Sequence, residues 1–220
     1  MRFIYARDAG QSEIVLDSKQ YHHIFNVRRL RAKVGDIFHF ANLADSTLYR
    51  YKLVESKKAK FTLLDSTLCL QPQPTTHIIQ AVISDFDKIL PFLNELFVGK
   101  ISLFYADFSQ RNVKINTERL EAILINSSMQ CGRLSKMEIE IFDSLDAVLQ
   151  VYKDSVVALD FCDEVLDLSA FRSVVIGSEG GFSQREREIL QKIRISGINH
   201  PLILRSQTAS VFVASKFVAR

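Results

Sequence analysis

The sequence predicts an α/β protein with a parallel sheet flanked by helices, preceded by a small β-barrel. Three observations indicate this. From residue 76 onward, short apolar segments with strand propensity alternate with segments of helical periodicity, as in βα units. Before residue 71, five segments with strand propensity follow one another with one helix among them. Between the two regions, Gln71-Pro72-Gln73-Pro74 has the composition of an inter-domain linker. We therefore expect one domain at residues 1–70 and a second at residues 73–220.

The first region consists of short segments rich in β-branched and aromatic residues, with partial alternation of polar and apolar positions. Such closely spaced strands are typical of a small barrel. A single helix is expected at residues 19–29, with Ser18 as its N-cap, because a serine hydroxyl accepts hydrogen bonds from first-turn amides. The predicted strands are residues 2–6, 13–16, 36–41, 47–55 and 61–66.

The second region contains short, strongly apolar strands without alternation, which indicates burial on both faces, as in a parallel sheet. Ser183 and Glu186 form a capping-box pattern that marks the start of a helix after residue 182. Further helices are predicted at residues 87–98, 117–130 and 143–152. The predicted strands are residues 76–83, 100–106, 138–142, 155–159, 173–176 and 201–204.

Composition excludes several classes of protein. The chain has 220 residues, of which 47% are hydrophobic and 24% charged, as in ordinary globular domains. Its three cysteines are far apart and form no CxxC pair, so we expect neither a zinc site nor disulfides, and a reducing, cytoplasmic location. The five histidines show no ligand spacing, so no metal is expected. The sequence has no signal-peptide pattern and no apolar run of about 18 residues, so no membrane segment is expected.

Positive charge is concentrated in the first region. Residues 1–70 hold 12 Lys and Arg against 7 Asp and Glu, whereas residues 71–220 hold 16 against 18. Basic residues interleaved with aromatic ones on a small barrel are typical of RNA-binding surfaces. The alternative is that these cations only offset the helix dipole. The basic cluster at the end of the predicted helix is Arg28, Arg29, Arg31 and Lys33, and the nearby aromatic residues are Tyr21, Phe25, Phe38 and Phe40.

Two segments near the C-terminus predict a ligand pocket. Residues 174–183 and 202–209 each begin as an apolar run, break into a glycine-rich or polar turn, and continue as a helix. Loops at the carboxyl edge of a parallel sheet build ligand sites. The glycine loop, residues 177–181, is neither a Walker A motif nor G-x-G-x-x-G, and Glu179 occupies the serine position of a nucleophile elbow. Its glycines permit close approach to a ligand, or they serve only to reverse the chain.

Taken together, IGSEGGFSQRE and the later LILRSQTA resemble the paired signature of the RsmE-type 16S ribosomal RNA (uracil-N3)-methyltransferases of the SPOUT superfamily. HHIFNVRR at 22–29, NELFVGKISLFYADFSQR at 94–111 and MQCGR at 129–133 are similar to further segments of that family. The chain departs from the family pattern at Ser178, where proline is usual, and at Gln207, where glutamate is usual. Asn126, Ser127 and Ser128 replace acidic residues, and a Leu-Gly before the last predicted strand is absent.

The resemblance implies that residues 73–220 form a trefoil-knotted SPOUT methyltransferase domain and residues 1–70 a PUA-like RNA-binding barrel. It also implies a homodimer that uses S-adenosylmethionine to methylate uracil N3 in 16S ribosomal RNA, free or within the small ribosomal subunit. Three loops would hold the cofactor. The cofactor-binding residues implied are Leu159, Ile176, Gly177, Glu179, Gly180, Gly181, Leu202, Leu204, Arg205, Thr208 and Ala209.

Methylation at N3 requires loss of a proton, so a cation beside a uracil oxygen would stabilise the anion that develops. Arg205 is the first candidate because it follows a predicted strand at the pocket edge, and Arg133, of the same or a second subunit, is the next. Glu179 or water is the candidate base. The expected RNA-binding residues are Arg28, Arg29, Arg31, Lys33 and Arg111. Alternatives are a different methyl acceptor, a non-catalytic RNA-binding protein of this fold, and an unrelated nucleotide-phosphate enzyme.

Overall fold

The computed structural model describes residues 2–22, 25, 32–110, 113–165, 167 and 171–218. The chain forms two compact units. The first comprises residues 1–72 and 125–136, and the second comprises residues 73–124 and 137–220. The segment 125–136 joins the first unit although no local sequence signal marks it. Its contribution includes Met129, whose carbonyl accepts a hydrogen bond from the backbone N–H of Arg2 at 2.7 Å.

The first unit is built on a five-stranded sheet in the order β1-β3-β4-β5-β2. Neighbouring strands are antiparallel except for β1 and β3, which are parallel. The two edge strands do not pair with each other in the described part of the chain, so the small barrel that was predicted is present there as a curled half-barrel. The strands are β1 Ile4–Tyr5, β2 Glu13–Val15, β3 Ile37–Ala41, β4 Thr47–Glu55 and β5 Lys60–Leu68.

Aromatic rings fill the core of this unit. Phe40, Tyr51 and Phe61 are fully buried, and Phe40 makes T-shaped contacts with the other two at centroid distances of 5.2 and 5.1 Å. The Tyr51 hydroxyl donates to the carbonyl of Gln11 at 2.6 Å and accepts from the N–H of Gly10 at 2.9 Å. The buried phenol is thus hydrogen-bonded, and the burial of its ring carries no unsatisfied polar atom.

The helix of the first unit, α1, is described at Ser18–Tyr21. Its cap is Asp17 and not Ser18: the Asp17 carboxylate accepts from the Gln20 N–H at 2.7 Å, and the Gln20 side chain accepts from the Asp17 N–H at 3.2 Å. This reciprocal pair satisfies two first-turn amides, as in a capping box. Residues 23, 24 and 26–29, which the predicted helix also included, lie outside the described residues.

The second unit contains a six-stranded sheet in the order β11-β9-β10-β6-β7-β8, with every neighbouring pair parallel. This confirms the predicted parallel α/β architecture. The strands are β6 His77–Ala81, β7 Lys100–Phe104, β8 Glu138–Phe142, β9 Val156–Leu159, β10 Ser173–Ile176 and β11 Arg194–Ser196. The helices are α2 Phe86–Glu95, α4 Leu145–Tyr152, α5 Gln184–Leu190 and α6 Ser206–Val218, and a short 3-10 turn at Lys153–Ser155 follows α4. A further helix, α3 Thr117–Cys131, belongs to the second unit up to residue 124 and to the first unit from residue 125.

Hydrophobic clusters cover both faces of this sheet. Ile78 of β6 lies in one cluster with Leu90 of α2 and Val213 of α6. The next residue, Ile79, lies in the opposite cluster, which includes Val148 of α4. Successive strand residues point to opposite faces, so a sheet covered on both sides needs continuous apolar runs. This accounts for the lack of alternation in the strand sequences.

The last strand is not where the sequence predicted it. Residues 201–204 have no strand conformation, and Leu202 and Ile203 are 72% and 78% exposed. The sheet instead ends with β11 at Arg194–Ser196. Pro201 has no N–H to donate to a ladder, and the apolar run after it lies on the surface rather than in the sheet. The segment 197–205 is therefore a loop between β11 and α6.

A polar cluster lies where β6, β7, β8 and β10 run side by side. The imidazole of His77 contacts the hydroxyls of Ser173 at 2.9 Å and Ser102 at 2.8 Å. The Ser102 hydroxyl donates to Glu140 at 3.1 Å, so it accepts from His77 Nε2. This pattern fits the neutral imidazole that carries its proton on Nε2. Burial, and secondarily the charge of Lys100, lower the pKa of His77 to about 4.

No helix in the described ranges is long and apolar enough to cross a membrane.

Candidate functional site

A cavity of about 770 Å³ lies at the carboxyl ends of β9, β10 and β11. The two loops that were expected to share one pocket, the glycine loop and the segment that leads into α6, both line it. The loop after β9 forms a third wall. The lining residues are 159–163, 176–182, 187, 197, 198, 200–206 and 209. Its position agrees with the general location of ligand sites in open parallel sheets.

The glycine loop forms a tight turn. The N–H of Gly181 donates to the Ser178 carbonyl at 3.0 Å, and Gly181 has a φ of 72°, a region that favours glycine. A Cβ on Gly177 would lie 3.1 Å from the carbonyl carbon of Gly181, so a side chain there would push the turn open. The Ser178 hydroxyl donates to the Gly181 carbonyl at 3.2 Å. Ser178, where proline is usual in the family, thus makes a hydrogen bond that proline cannot make.

The helix that follows the glycine loop begins as predicted. The Ser183 hydroxyl accepts from the N–H of Glu186 at 3.1 Å, and the Glu186 carboxylate accepts from the N–H of Ser183 at 2.9 Å, which confirms the capping box. The second oxygen of Glu186 accepts from the N–H of Asp107 at 3.1 Å. Glu186 is fully buried, and the hydrogen bonds of its two carboxylate oxygens connect the start of α5 to the loop after β7.

A buried hydrogen-bond network fixes the glycine loop to β6 and α6. The Gln80 amide donates to the Ser206 hydroxyl at 2.8 Å, and that hydroxyl donates to the carbonyl of Gly177 at 2.5 Å. The Ser210 hydroxyl donates to the Gln80 side-chain oxygen. Sequence analysis missed these residues. The available signal was a glutamine inside the otherwise apolar end of a buried strand, Ile78-Ile79-Gln80-Ala81, because a buried amide needs partners.

Charged side chains are distributed over the cavity wall as three carboxylates and two guanidinium groups. Asp160 and Arg187 form an ion pair at 2.9 Å. Glu179 is exposed, and its hydrogen bonds to described residues are two long ones of 3.4 Å, from the N–H and the hydroxyl of Ser84. Arg205 is exposed, and its guanidinium makes no hydrogen bond or ion pair within the described ranges. The charged residues of the wall are Asp160, Asp163, Glu179, Arg187 and Arg205, and His200 also contributes.

Most residues that the family resemblance assigned to the cofactor lie together on this wall. Those lining the cavity are Leu159, Ile176, Gly177, Glu179, Gly180, Gly181, Leu202, Leu204, Arg205 and Ala209. Thr208 does not line it, because it lies on the exposed side of the first turn of α6. The neighbouring Gln207 has a buried side-chain oxygen without a hydrogen-bond partner in the described part of the chain.

Arg133 belongs to the first unit and is not on the cavity wall. It is 2% exposed, and its Nε donates to the carbonyl of Ser135 at 3.0 Å. Burial lowers the pKa of its guanidinium to about 10. Of the expected RNA-binding residues, Lys33 is exposed, whereas Arg28, Arg29, Arg31 and Arg111 lie outside the described residues.

Across the described ranges, no group of three or more His, Cys, Asp and Glu side chains is arranged to hold a metal ion.

Comparison with known proteins gives consistent results. The family model for the RNA methyltransferase domain matches residues 71–218. The chain is similar to the ribosomal RNA small subunit methyltransferase E of Helicobacter pylori strain 26695, with 41% identity over 225 residues and 98% of both chains covered.

Two solved structures have the same fold. One is a Legionella pneumophila protein in complex with S-adenosylmethionine, with a TM-score of 0.80, 20% identity, and coverage of 99% of this chain and 97% of that one. The other is a ribosomal RNA small subunit methyltransferase E from Neisseria gonorrhoeae bound to S-adenosylmethionine, with a TM-score of 0.80, 18% identity, and coverage of 98% and 95%. The fold resemblance therefore includes both units of the chain.

Proposed function

Because this chain belongs to the RNA methyltransferase family that contains the ribosomal RNA small subunit methyltransferases E, we propose that it methylates uracil N3 in 16S ribosomal RNA with S-adenosylmethionine as methyl donor. The observation that carries the proposal is the cavity at the carboxyl edge of the sheet. Three loops converge there, and the residues that carry the family signature form two of them.

The cavity suits the proposed cofactor in size and chemistry. Its volume of about 770 Å³ lies within the range of small-molecule sites. Gly177, Gly180 and Gly181 have no side chains, so a ligand can approach the backbone of this loop closely. The wall carries one more carboxylate than guanidinium groups, which complements a ligand with a net positive charge. When bound, S-adenosylmethionine supplies an electrophilic methyl group; the protein supplies binding and orientation.

Arg205 is the proposed catalytic residue. Uracil N3 lies within the Watson–Crick edge and carries a proton, so the base must be splayed out and deprotonated as the N3–CH₃ bond forms and the S–CH₃ bond breaks. A guanidinium without a competing carboxylate is free to hold a uracil oxygen and stabilise its developing negative charge. Glu179, exposed on the same wall, or a water molecule, accepts the N3 proton. Arg133 is buried in its own unit, and we propose it as a catalytic group only if a second subunit presents it.

We further propose that the second unit is a SPOUT domain with a trefoil knot. Two loops that a knot would press together are in close contact: the N–H of Gly197 donates to the carbonyl of Glu164 at 2.7 Å. A Cβ on Gly197 would lie 1.9 Å from the carbonyl oxygen of Cys162, so only glycine fits there. The hydrogen bond from Ser206 to Gly177 then holds the start of α6 against the glycine loop.

A homodimer is proposed from the apolar rim of the cavity. Phe161, Leu202 and Ile203 are 72%, 72% and 78% exposed and all line the cavity. Exposed apolar groups that lie together on one rim are typical of interaction surfaces. A second copy on this rim would cover them and complete the cavity wall.

The first unit is proposed as a PUA-like RNA-binding domain, supported by the net positive charge of residues 1–70. The proposed RNA contacts are Arg28, Arg29, Arg31, Lys33 and Arg111. The substrate, free 16S RNA or the assembled small subunit, places the enzyme in the cytoplasm.

Nucleoside mass spectrometry tests the function. Purified protein with isotopically labelled S-adenosylmethionine and either deproteinised 16S RNA or small subunits should yield labelled N3-methyluridine. A labelled ribose or guanine would instead identify a different acceptor. Cofactor binding with no label in either substrate would favour a non-catalytic RNA-binding protein.

A further inference from the structure

The ion pair between Asp160 and Arg187 connects two parts of the cavity wall, the loop after β9 and helix α5. Asp160 directly follows β9, and its own N–H donates to the carbonyl of Ser196 in β11 at 3.2 Å, which fixes its position. Arg187 lies on α5, the helix that follows the glycine loop. Arg187 Nε donates to one carboxylate oxygen at 2.9 Å, and Nη2 lies 3.4 Å from the other. Both residues line the cavity, and neither belongs to the sequence signature of the family.

This pair has hydrogen-bonding capacity that the protein does not use. Within the described residues, Nη1 of Arg187 has no acceptor, and the second oxygen of Asp160 accepts only the long 3.4 Å contact. The Asp160 side chain is 12% exposed and the Arg187 side chain 44% exposed, and both residues line the cavity. One carboxylate and one guanidinium side by side present an anion and a cation to the same small ligand. A zwitterion of an amino acid has the complementary charges.

We propose that Asp160 and Arg187 bind the amino-acid end of S-adenosylmethionine, with Arg187 holding the α-carboxylate and Asp160 the α-ammonium group. The inference rests on the proposed function and adds a subsite to it. Arg187 presents a planar set of N–H donors that matches a carboxylate, and the adjacent Asp160 carboxylate accepts from the ammonium. Arg205, on the loop that leads into α6, then remains available to the methyl acceptor.

The other charged groups of the wall suit this role less well. Asp163 and Glu179 are exposed, and no short hydrogen bond from a described residue fixes either carboxylate. Arg205 has no carboxylate beside it in the described ranges, so it offers one charge rather than a pair. Only at Asp160 and Arg187 do opposite charges of the described wall lie within hydrogen-bonding distance of each other.

Calorimetry with ligands that differ at the amino-acid end tests the assignment. S-adenosylmethionine and S-adenosylhomocysteine have both charged groups, decarboxylated S-adenosylmethionine has only the ammonium group, and 5′-methylthioadenosine has neither. Arg187→Gln should weaken the first two by about 10- to 100-fold and leave the last two near wild type. Asp160→Asn should weaken all three ligands that carry the ammonium group and spare 5′-methylthioadenosine.

Two matched variants separate this subsite from general effects. Arg194→Gln removes an exposed positive charge that is not on the cavity wall and should leave the affinity for all four ligands near wild type. Arg187→Lys keeps the charge but loses the planar donor set, so its affinity for S-adenosylmethionine should fall between wild type and Arg187→Gln. Thermal unfolding of each variant confirms that it is folded.

The outcomes distinguish the two proposals. If a variant loses as much affinity for 5′-methylthioadenosine as for S-adenosylmethionine, the ion pair only shapes the wall. If the variants bind S-adenosylmethionine as tightly as the wild type does, Asp160 and Arg187 do not form the subsite. Either result leaves the proposed function intact. Failure of the wild-type protein to bind any of the four ligands would instead overturn the proposed function.

Discussion

At the scale of single residues, the two arginines of the cavity differ in what surrounds them. Arg187 is paired with Asp160, whereas the guanidinium of Arg205 makes no hydrogen bond or ion pair within the described ranges. A paired cation is partly neutralised, and an unpaired one keeps its full charge for a ligand. This difference is the basis on which we propose Arg187 for the cofactor and Arg205 for the methyl acceptor.

Replacement of Arg205 by alanine should lower the methyl-transfer rate by about 100-fold or more, because one charged donor to the developing anion is lost. Affinity for S-adenosylmethionine should stay near wild type. A single-turnover assay with calorimetry measures both quantities. Arg194→Ala, an exposed arginine at the amino end of β11, is the control and should change neither. An unchanged rate in Arg205→Ala would exclude the residue from the reaction.

At the scale of elements, Gln80 joins the end of β6 to the start of α6. It hydrogen-bonds Ser206 and Ser210, and Ser206 in turn holds Gly177. All of these side chains are buried, so each depends on the others for its hydrogen bonds. The glycine loop therefore derives its position from a strand that does not itself border the cavity.

Gln80→Leu should lower the free energy of unfolding by about 1–3 kcal/mol, because Ser206 and Ser210 lose partners that water cannot replace. It should also weaken S-adenosylmethionine binding through displacement of the glycine loop. Chemical denaturation and calorimetry measure these effects. Gln191→Leu, an exposed glutamine at the end of α5, should alter neither. Wild-type stability in Gln80→Leu would show that the network makes no net contribution to the free energy of unfolding.

The cluster around His77 predicts a pH dependence of stability. The folded state lowers the pKa of His77 from 6.5 to about 4, so between these values the unfolded chain binds the proton and the folded chain does not. Stability should thus fall as pH decreases through this interval, by about 1.4 kcal/mol per pH unit. Lys100, Glu140 and Tyr152 surround the imidazole. Hydrogen bonds to the Glu140 carboxylate hold the pKa of that carboxylate below 4.5, against the effect of burial.

Denaturation between about pH 5 and 6.5 isolates the contribution of His77, because Glu140 titrates below this interval. His77→Gln should remove most of the slope in that range. His39→Gln, in the first unit, is the control and should retain it. Equal slopes for wild type and His77→Gln would contradict the buried neutral histidine.

At the scale of the whole molecule, the exposed apolar rim of the cavity predicts association. The double variant Leu202→Glu, Ile203→Glu should convert a dimer into a monomer, because like charges would face each other across the covered rim. Light scattering after size-exclusion chromatography measures the mass. Val151→Glu, which places a charge on an exposed apolar residue of α4, should remain dimeric. A monomeric wild-type protein would remove the proposed dimer.

Local patterns in the sequence were sufficient for much of the second unit. The apolar strands predicted its parallel sheet, the capping box at Ser183 marked α5, and the glycine and LILRSQTA segments indicated two walls of the cavity. These features depend on neighbours within a few residues or on continuous burial, and both leave a periodic or compositional trace. The resemblance to a methyltransferase family rested on the same segments.

Folding decided what no short window contains. The pairing of Asp160 with Arg187 joins residues 27 positions apart, and Gln80 meets Ser210 across 130 positions. The run at residues 201–204 is as apolar as a buried strand but is exposed, and the last strand of the sheet is Arg194–Ser196. Such outcomes depend on which surfaces meet when the chain closes on itself, because burial and hydrogen bonding are properties of the assembled fold rather than of the local sequence.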